Sequence, residues 1–420
     1  MRWKWAKKKG VKESKDAGGE GGRVSPSEPR NAPAAAMGDR NSRRIIELAK
    51  LVGNSVCGDC GCSNPEWASY NLGVFICTTC ATWHRKLGTH VSKVKHLKLD
   101  KWDDEQVQNM EEIGNEKAKQ KYEQHVPPCY RVPKPGDPPV LQEQWVRAKY
   151  ERQEFIHVDK QTYNTNEIEG RLMKKARDEN KYYERKFSVS ENCLKYYNKE
   201  NSKEPKVTIT LSELSVCLAP PKMKQNNGMQ LSYMCDGSTR HIYVYHASGE
   251  TIIHWYMAIR NIKLNRLLVA YPSATPEEVV PYLTNDFTME GWLSKTGPSE
   301  RDAYRKRWFT LDDRKLMYHE NPMDPYPRGE IFLGHKDDNY SVSEGVPRGC
   351  KEHDCAFSLV TPDRTFVMSA PTREERAQWM KAINTVLERP LRPQDNQSKA
   401  EIEAKRKSSR GSRHSFFNFH

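Results

Sequence analysis

Cys57-Gly58-Asp59-Cys60 and Cys77-Thr78-Thr79-Cys80 stand sixteen residues apart, and these two CxxC turns decide the fold around them. A two-residue gap lets two thiolates turn onto one ion. The longer gap lets a small hairpin bring the second pair round. Four thiolates in tetrahedral array favour Zn²⁺ over other common ions. Four unrelated core or redox cysteines are the competing reading, and the paired spacing speaks against it. A zinc with four sulfur ligands keeps no open position for water. The metal, one ion on Cys57, Cys60, Cys77 and Cys80, is therefore expected to be structural, with the chemistry elsewhere.

Outward from the cysteines the chain reads Trp67-Ala68-Ser69-Tyr70-Asn71-Leu72-Gly73 before Cys77 and Ala81-Thr82-Trp83-His84-Arg85 after Cys80. This resembles the Arf GTPase-activating (Arf-GAP) domain: a zinc finger, a WASxNxG stretch, and an arginine five residues after the fourth cysteine. That family usually carries Ser-Gly-Ile ahead of His-Arg, where this chain has Ala81-Thr82-Trp83. The departure bears on the level of activity more than on the fold.

The length of 420 residues suggests two to four domains. No run of eighteen apolar residues occurs, and the basic N-terminus lacks the apolar core of a secretory signal. Eleven cysteines, four of them assigned to zinc, fit a reducing compartment, with Cys62 and the rest as free thiols. The net charge of +13 suits nucleic acid, anionic lipid or solubility alone.

Residues 1–36 are rich in Lys, Gly, Ser, Pro and Ala and are expected to be disordered. Met37 opens the region that the family usually begins with, so the stretch before it reads either as an upstream extension with an alternative start or as an ordinary tail. Residues 38–126 form the zinc domain, its first helix carrying Ile45, Ile46, Leu48 and Leu51. Residues 127–166 are a linker, proline-rich at first, with a helix over 140–156. Leu141, Trp145, Ala148, Phe155 and Ile156 form its apolar stripe, and Lys149 belongs to its polar side. The helix reads as a strut between domains rather than a membrane binder, because its polar face mixes both charge signs.

Two similar segments follow at a spacing of about 120 residues. Glu169-Gly170-Arg171-Leu172 and Glu290-Gly291-Trp292-Leu293 open them, and helices bearing Trp255 and Trp379 close them. Both resemble the pleckstrin-homology (PH) domain, a β-sandwich or barrel capped by a C-terminal helix whose tryptophan plugs the core. The first is placed at 167–265 and the second at 286–390. The basic, Ser-rich residues 391–420 read as a disordered tail. The fold class is therefore multidomain α+β. A four-cysteine zinc domain followed by two PH domains resembles the dual-PH Arf-GAP, or centaurin-alpha, family over about residues 38–390.

What the resemblance implies is specific. Arg85 is the candidate catalytic residue, a guanidinium that neutralises charge developing on the GTP of a partner Arf in its GTP form. The chain has no GxxxxGK[ST] loop of its own, so it completes the Arf active site in trans rather than acting as an enzyme alone. His84 and Trp83 read as packing residues. Trp67 and Asn71 are left open between contacting the GTPase and supporting the finger.

In PH domains that bind inositol phosphates, a lysine ends the first strand and a K/R-x-R pair follows on the second. The second repeat matches with Lys295, Arg305 and Arg307. The first offers Lys174, Lys175, Arg185 and Lys186, with Glu184 where a base is typical. The ligands implied are phosphoinositides, the 3-phosphorylated ones favoured, or soluble inositol phosphates, on an anionic membrane surface. Nucleic acid is not expected, since two PH-like repeats speak against it. Cytoplasm and peripheral plasma membrane are the expected locations, with the nucleus a second. A non-catalytic phosphoinositide-binding adaptor is the alternative function.

Overall fold

The structure is a computed structural model, and it describes residues 34–177, 181–199, 202–284, 286–297, 302–350, 353–392, 395 and 399–400. The disorder expected of residues 1–33 and 401–420 lies outside those residues. Residues 34–36 belong to the first helix, α1 (Ala34–Lys50), which starts ahead of the apolar pattern. Asp395, assigned above to the tail, is buried and takes Nε of Arg314 at 3.3 Å, so it belongs to the second repeat.

In the zinc module, β1 (Trp67–Ser69) pairs antiparallel with β2 (Val74–Ile76) and with β3 (Val94–His96). Gly73 turns the chain between β1 and β2 at φ +73°, and a Cβ there would lie 2.4 Å from Ile113. Only glycine meets both demands. Helix α2 (Thr78–Lys86) follows β2 directly. Helices α3 (Asp104–Glu112) and α4 (Gly114–Tyr122) complete the module. Ile45, Phe75, Trp102, Val107 and Met110 make a small core of their own.

The linker helix is shorter than the pattern implied. α5 (Pro139–Val146) starts on a proline, whose fixed φ suits a first turn. It widens into a π-helical turn over Arg147–Arg152 and stops at Gln153 in the left-handed region, φ 55°. The wider turn swings Lys149 inward, so the residue read as polar-facing is fully buried. Its Nζ lies 2.8 Å from Gly58 O, 3.2 Å from Asp59 and 2.7 Å from Glu123. Burial opposes its charge, but the two carboxylates outweigh burial and hold the ammonium's pKa above the usual lysine value. Lys149→Met is expected to destabilise the protein by about 3–5 kcal/mol, because the buried Asp59 and the partly buried Glu123 lose their cation. Urea unfolding followed by tryptophan fluorescence measures this, and an unchanged midpoint would contradict it.

The duplication is explicit in the sheets. In the first repeat, β4 (Ile168–Lys175), β5 (Tyr182–Ser190), β6 (Cys193–Tyr196), β7 (Val207–Thr210), β8 (Ser215–Leu218), β9 (Gly228–Cys235) and β10 (Ser238–Tyr245) are ordered β7-β6-β5-β4-β10-β9-β8. Helix α6 (Gly249–Ala270) closes it, running past the expected boundary. A short helix, α7 (Pro276–Val279), leads to the second repeat. There β11 (Met289–Lys295), β12 (Arg305–Leu311), β13 (Lys315–His319), β14 (Gly329–Phe332), β15 (Ser341–Glu344), β16 (Ala356–Val360) and β17 (Thr365–Ser369) repeat the order, closed by α8 (Arg373–Leu387). Trp255 and Trp379 are buried core plugs. Each lies over the opening glycine of its repeat, where a Cβ on Gly170 or Gly291 would be 3.4 or 3.6 Å from the indole.

One hydrophobic cluster runs without a break from the zinc cysteines through Leu141, Trp145 and Phe155 to Trp255 and Ile262. The strut thus shares a core with both neighbours. Arg260 Nε donates to Cys129 O at 2.7 Å across the same junction. The second repeat keeps a separate core and meets the first through polar contacts. Thr239 N and Oγ1 donate to Glu330 at 2.8 and 2.7 Å, and buried Lys222 pairs with Glu290.

Candidate functional site

The four cysteines come together as their spacing requires. Their Sγ atoms all lie within 4.8 Å of one another, Cys60 and Cys77 at 3.6 Å. A tetrahedron with Zn–S bonds of about 2.3 Å has edges near that second distance. The donor set therefore fits a structural zinc. Gly61, at φ +72°, lets the first turn fold back so that its N–H reaches Cys57 O at 3.0 Å. Cys77 also caps α2, its sulfur accepting from Cys80 N at 3.5 Å.

That helix carries Arg85. The side chain is exposed, and its Cζ lies 4.2 Å over the ring centroid of Trp67 on β1. The stack orients the guanidinium at a cost in neither charge nor donors. Trp67 is held in turn by an edge contact with His96 at 4.6 Å. Trp67 thus touches the arginine on one side and His96 on the other. Asn71 is likewise committed, since its amide bridges Ser69, Lys93 N and Val91 O at 2.7–3.1 Å and ties down the loop beside it.

His84 is fully buried. Nδ1 meets Ser92 Oγ at 2.8 Å and Nε2 meets Asp59 Oδ2 at 2.9 Å, while Tyr150 Oη donates to Asp59 Oδ1 at 2.9 Å. Burial alone would push the Asp59 carboxyl up. Lys149 and His84 outweigh it and keep the group ionised well below the usual carboxylate range. The strut therefore reaches the base of the arginine helix through one carboxylate. Trp83, two residues and about 200° from Arg85 around the helix, points the other way and packs against the strut, its Nε1 3.4 Å from Gln142. Of the unusual Ala81-Thr82-Trp83, Trp83 is accommodated on the strut side, Ala81 is buried, and Thr82 is exposed one turn before Arg85 and bonds within the helix to Thr78 O.

The second repeat holds an open cavity of about 600 Å³ lined by Lys295, Arg305, Arg307, Tyr318 and Arg328, with Asp302 and Glu320 at its edge. Strand register explains the convergence. Lys295 pairs with Arg305, and Leu293 with Arg307, so both arginines lie on the face of β12 that Phe309 continues inward. Lys295 Nζ lies 4.8 Å over Tyr318. Gly329 opposite has no Cβ because one would fall 2.2 Å from the Tyr318 hydroxyl.

The same register in the first repeat pairs Lys174 with Tyr183 and Leu172 with Arg185. Arg185 is therefore the counterpart of Arg307, and Tyr183, not Glu184, stands where Arg305 stands. Glu184 and Lys186 project from the other face, Glu184 toward Arg171 at 3.4 Å and Lys186 onto Glu169 at 2.9 Å. Lys186 is thus not brought to the pocket. Lys175 adjoins Lys174 and contributes to its field.

Three further pairs of residues stand around the two lysines, and sequence reasoning missed them because the cations concerned are isolated along the chain. Counting from the strand partners Val244 and Met368, Arg240 and Arg364 occupy one position in the two repeats. Tyr196 matches Tyr318, and Lys206 matches Arg328. Lys174 Nζ lies 5.2 Å over Tyr196, as Lys295 does over Tyr318. The matching tyrosines in Leu194-Lys195-Tyr196 and Leu316-Met317-Tyr318 were a usable signal.

Both pocket lysines hold their protons less firmly than an exposed lysine. Burial first, then Arg240, Lys206 and Arg185, brings Lys174 down to about 8. Burial, then Arg364 and Arg307, brings Lys295 down to about 8. A bound polyanion favours the charged form and draws a proton onto each lysine. Affinity for an inositol polyphosphate is therefore expected to fall as pH rises from 7 through 9, with net proton uptake on binding at pH 8. Calorimetry in buffers of different ionisation enthalpy reads that uptake, and a pH-independent affinity with no uptake would contradict it.

The ArfGap family model, GTPase activating protein for Arf, matches residues 42–159, and the PH domain model matches residues 166–263 and 287–388. "Arf-GAP with dual PH domain-containing protein 2" of Mus musculus is 41% identical over 367 residues, spanning 85% of this chain and 96% of that protein. The Homo sapiens protein of the same name is 40% identical, also over 85% and 96%. The solved ArfGap domain of HIV-1 Rev binding protein aligns at 20% identity over 29% of this chain and 90% of its own, with a TM-score of 0.27.

Proposed function

Because the chain belongs to the family of Arf GTPase-activating proteins with two PH domains, we infer that Arg85 is the residue it inserts into a GTP-bound Arf active site. The Arf supplies nucleotide and metal, and this chain completes the site. As phosphate charge develops on the β–γ bridge and γ oxygens, the guanidinium offers fixed, forked donors to it. The observation that carries this reading is the exposed Arg85 stacked at 4.2 Å on Trp67, on a helix capped by a zinc ligand. Zinc, when bound, supplies rigidity to that mount.

The two PH repeats bind phosphoinositides or inositol phosphates, the 3-phosphorylated class being the preferred ligand. They recruit the chain from cytoplasm to the anionic face of the plasma membrane. The second repeat carries the larger share of affinity, since Tyr183 replaces a base in the first. Trp83 lies away from the Arg85–Trp67 stack, whereas Thr82, three residues before Arg85, shares its face of the helix, so the adaptor alternative now rests on that one residue.

Single-turnover GTP hydrolysis on a panel of Arf proteins, with and without liposomes containing phosphatidylinositol 3,4,5-trisphosphate, tests the reading. Stimulation that rises with liposomes is expected. No stimulation of any Arf would leave the adaptor function in its place.

A further inference from the structure

The loop that joins β13 to β14 does not stay with its own repeat. It lies along β10 of the first: His241 N donates to Pro325 O at 2.8 Å, and the Tyr243 hydroxyl reaches Pro322 O at 3.4 Å. Met323 Sδ sits 4.0 Å from the Tyr182 hydroxyl. Tyr326 lies between Pro325 and Pro327, whose rings each fix a backbone torsion and stiffen the loop. Its ring centroid is 5.7 Å from Cζ of Arg240 and 5.7 Å from Cζ of Arg177, both of the first repeat.

Arg240 belongs to the cationic cluster around Lys174. Among the described residues its Nε is buried without a hydrogen-bond partner, and so is the hydroxyl of Tyr233, whose ring lies 6.0 Å from Arg240 Cζ. Unpaired buried polar atoms beside a cluster of cations are donors awaiting an acceptor. The second repeat's pocket differs. Its lining residues all come from that repeat, and Arg364, the counterpart of Arg240, stacks on its own Phe366 at 4.0 Å.

We propose that Tyr326 of the second repeat forms a wall of the first repeat's inositol phosphate site, so that the first pocket is complete only when the second repeat is docked on it. This rests on the reading that the first repeat binds such headgroups. The first repeat has lost a base where Tyr183 stands. The ring of Tyr326 compensates by holding the guanidinium of Arg240, and that of Arg177, through its face. Held guanidinia turn their forked N–H groups to phosphate oxygens at less entropic cost. Two residues further on, Arg328 lines the second pocket, so one short loop serves both sites.

The test uses the full chain carrying Arg307→Ala, which silences the second pocket, and soluble inositol 1,3,4,5-tetrakisphosphate in calorimetry. One equivalent is expected to bind, and adding Lys174→Ala should remove it. Adding Tyr326→Ala instead should weaken binding roughly 3- to 30-fold, while Tyr326→Phe stays within about 2-fold because the ring is kept. Should the alanine variant melt differently, Tyr326→Leu, which fills the volume without a π face, is expected to show the same loss. Unchanged affinity in Tyr326→Ala or Tyr326→Leu overturns the proposal and leaves the first site standing. Absence of any binding to Arg307→Ala overturns the first site and the proposal with it. Sedimentation with liposomes containing phosphatidylinositol 3,4,5-trisphosphate separates the ligand's source. An equal loss there assigns the pocket to lipid, and an intact interaction assigns it to the soluble headgroup.

Discussion

Arg85→Lys is expected to lower single-turnover hydrolysis of Arf-bound GTP by about two orders of magnitude or more, since a finger arginine contributes roughly 10³–10⁵. Lysine keeps the charge. It loses the planar fork that spans two phosphate oxygens, and a compact ammonium cannot keep the flat stack on Trp67 at 4.2 Å. The interaction is strongest in the transition state, so the Arf complex should still form while its turnover falls. Zinc content, thermal melting and liposome binding should stay unchanged, because the side chain is exposed and belongs to neither PH repeat. Hydrolysis within a few-fold of the parent protein would exclude Arg85 as the finger.

Cys77→Ser carries the second large effect. The parent protein is expected to contain one zinc per chain, and the variant none. In a module whose own cores are small, metal binding is largely folding energy. Cys77 also caps the helix bearing Arg85, so its loss removes a ligand and a helix terminus together. Hydrogen exchange should show protection lost across residues 44–126. The second repeat, with its separate core, should keep its protection. The first should lose part of its own, because it shares the strut's core. A variant with full zinc content, or with protection in the zinc module unchanged, would refute the assignment.

Local patterns carried much of this in the sequence. The cysteine ligands are close pairs, and Arg85 follows them at fixed spacing, so both were legible without any knowledge of packing. The duplication was legible because each repeat opens on a glycine and closes on a tryptophan that meets it. What escaped depended on strand parity, where a slip of one residue moves a side chain to the other face. Setting Glu184 and Lys186 at the two positions of the K/R-x-R pair made that slip. Aligning Arg185-Lys186-Phe187 with Arg307-Trp308-Phe309 would have corrected it, since the buried phenylalanines fix the face. Lys149 escaped for another reason. Its burial follows from a π-helical turn and from two carboxylates contributed by distant segments. Nothing in the amphipathic pattern of the linker encodes either. Arg240 and Arg364 come near Lys174 and Lys295 only through long-range pairing, and Tyr326 nears Arg240 only through the docking of one repeat on the other.

The unbroken core from the zinc cysteines to Trp255 has a consequence for how such a protein selects its target. A catalytic module on a loose leash would search a volume, and any Arf inside it would be served. Here the strut is packed on both sides, so a chain seated on lipid through its first repeat holds Arg85 at one stand-off from the bilayer and at one tilt. On the function proposed above, the protein would work as a gauge: an Arf that presents its nucleotide at that height would meet the arginine, and one that rides higher or lower would be passed over.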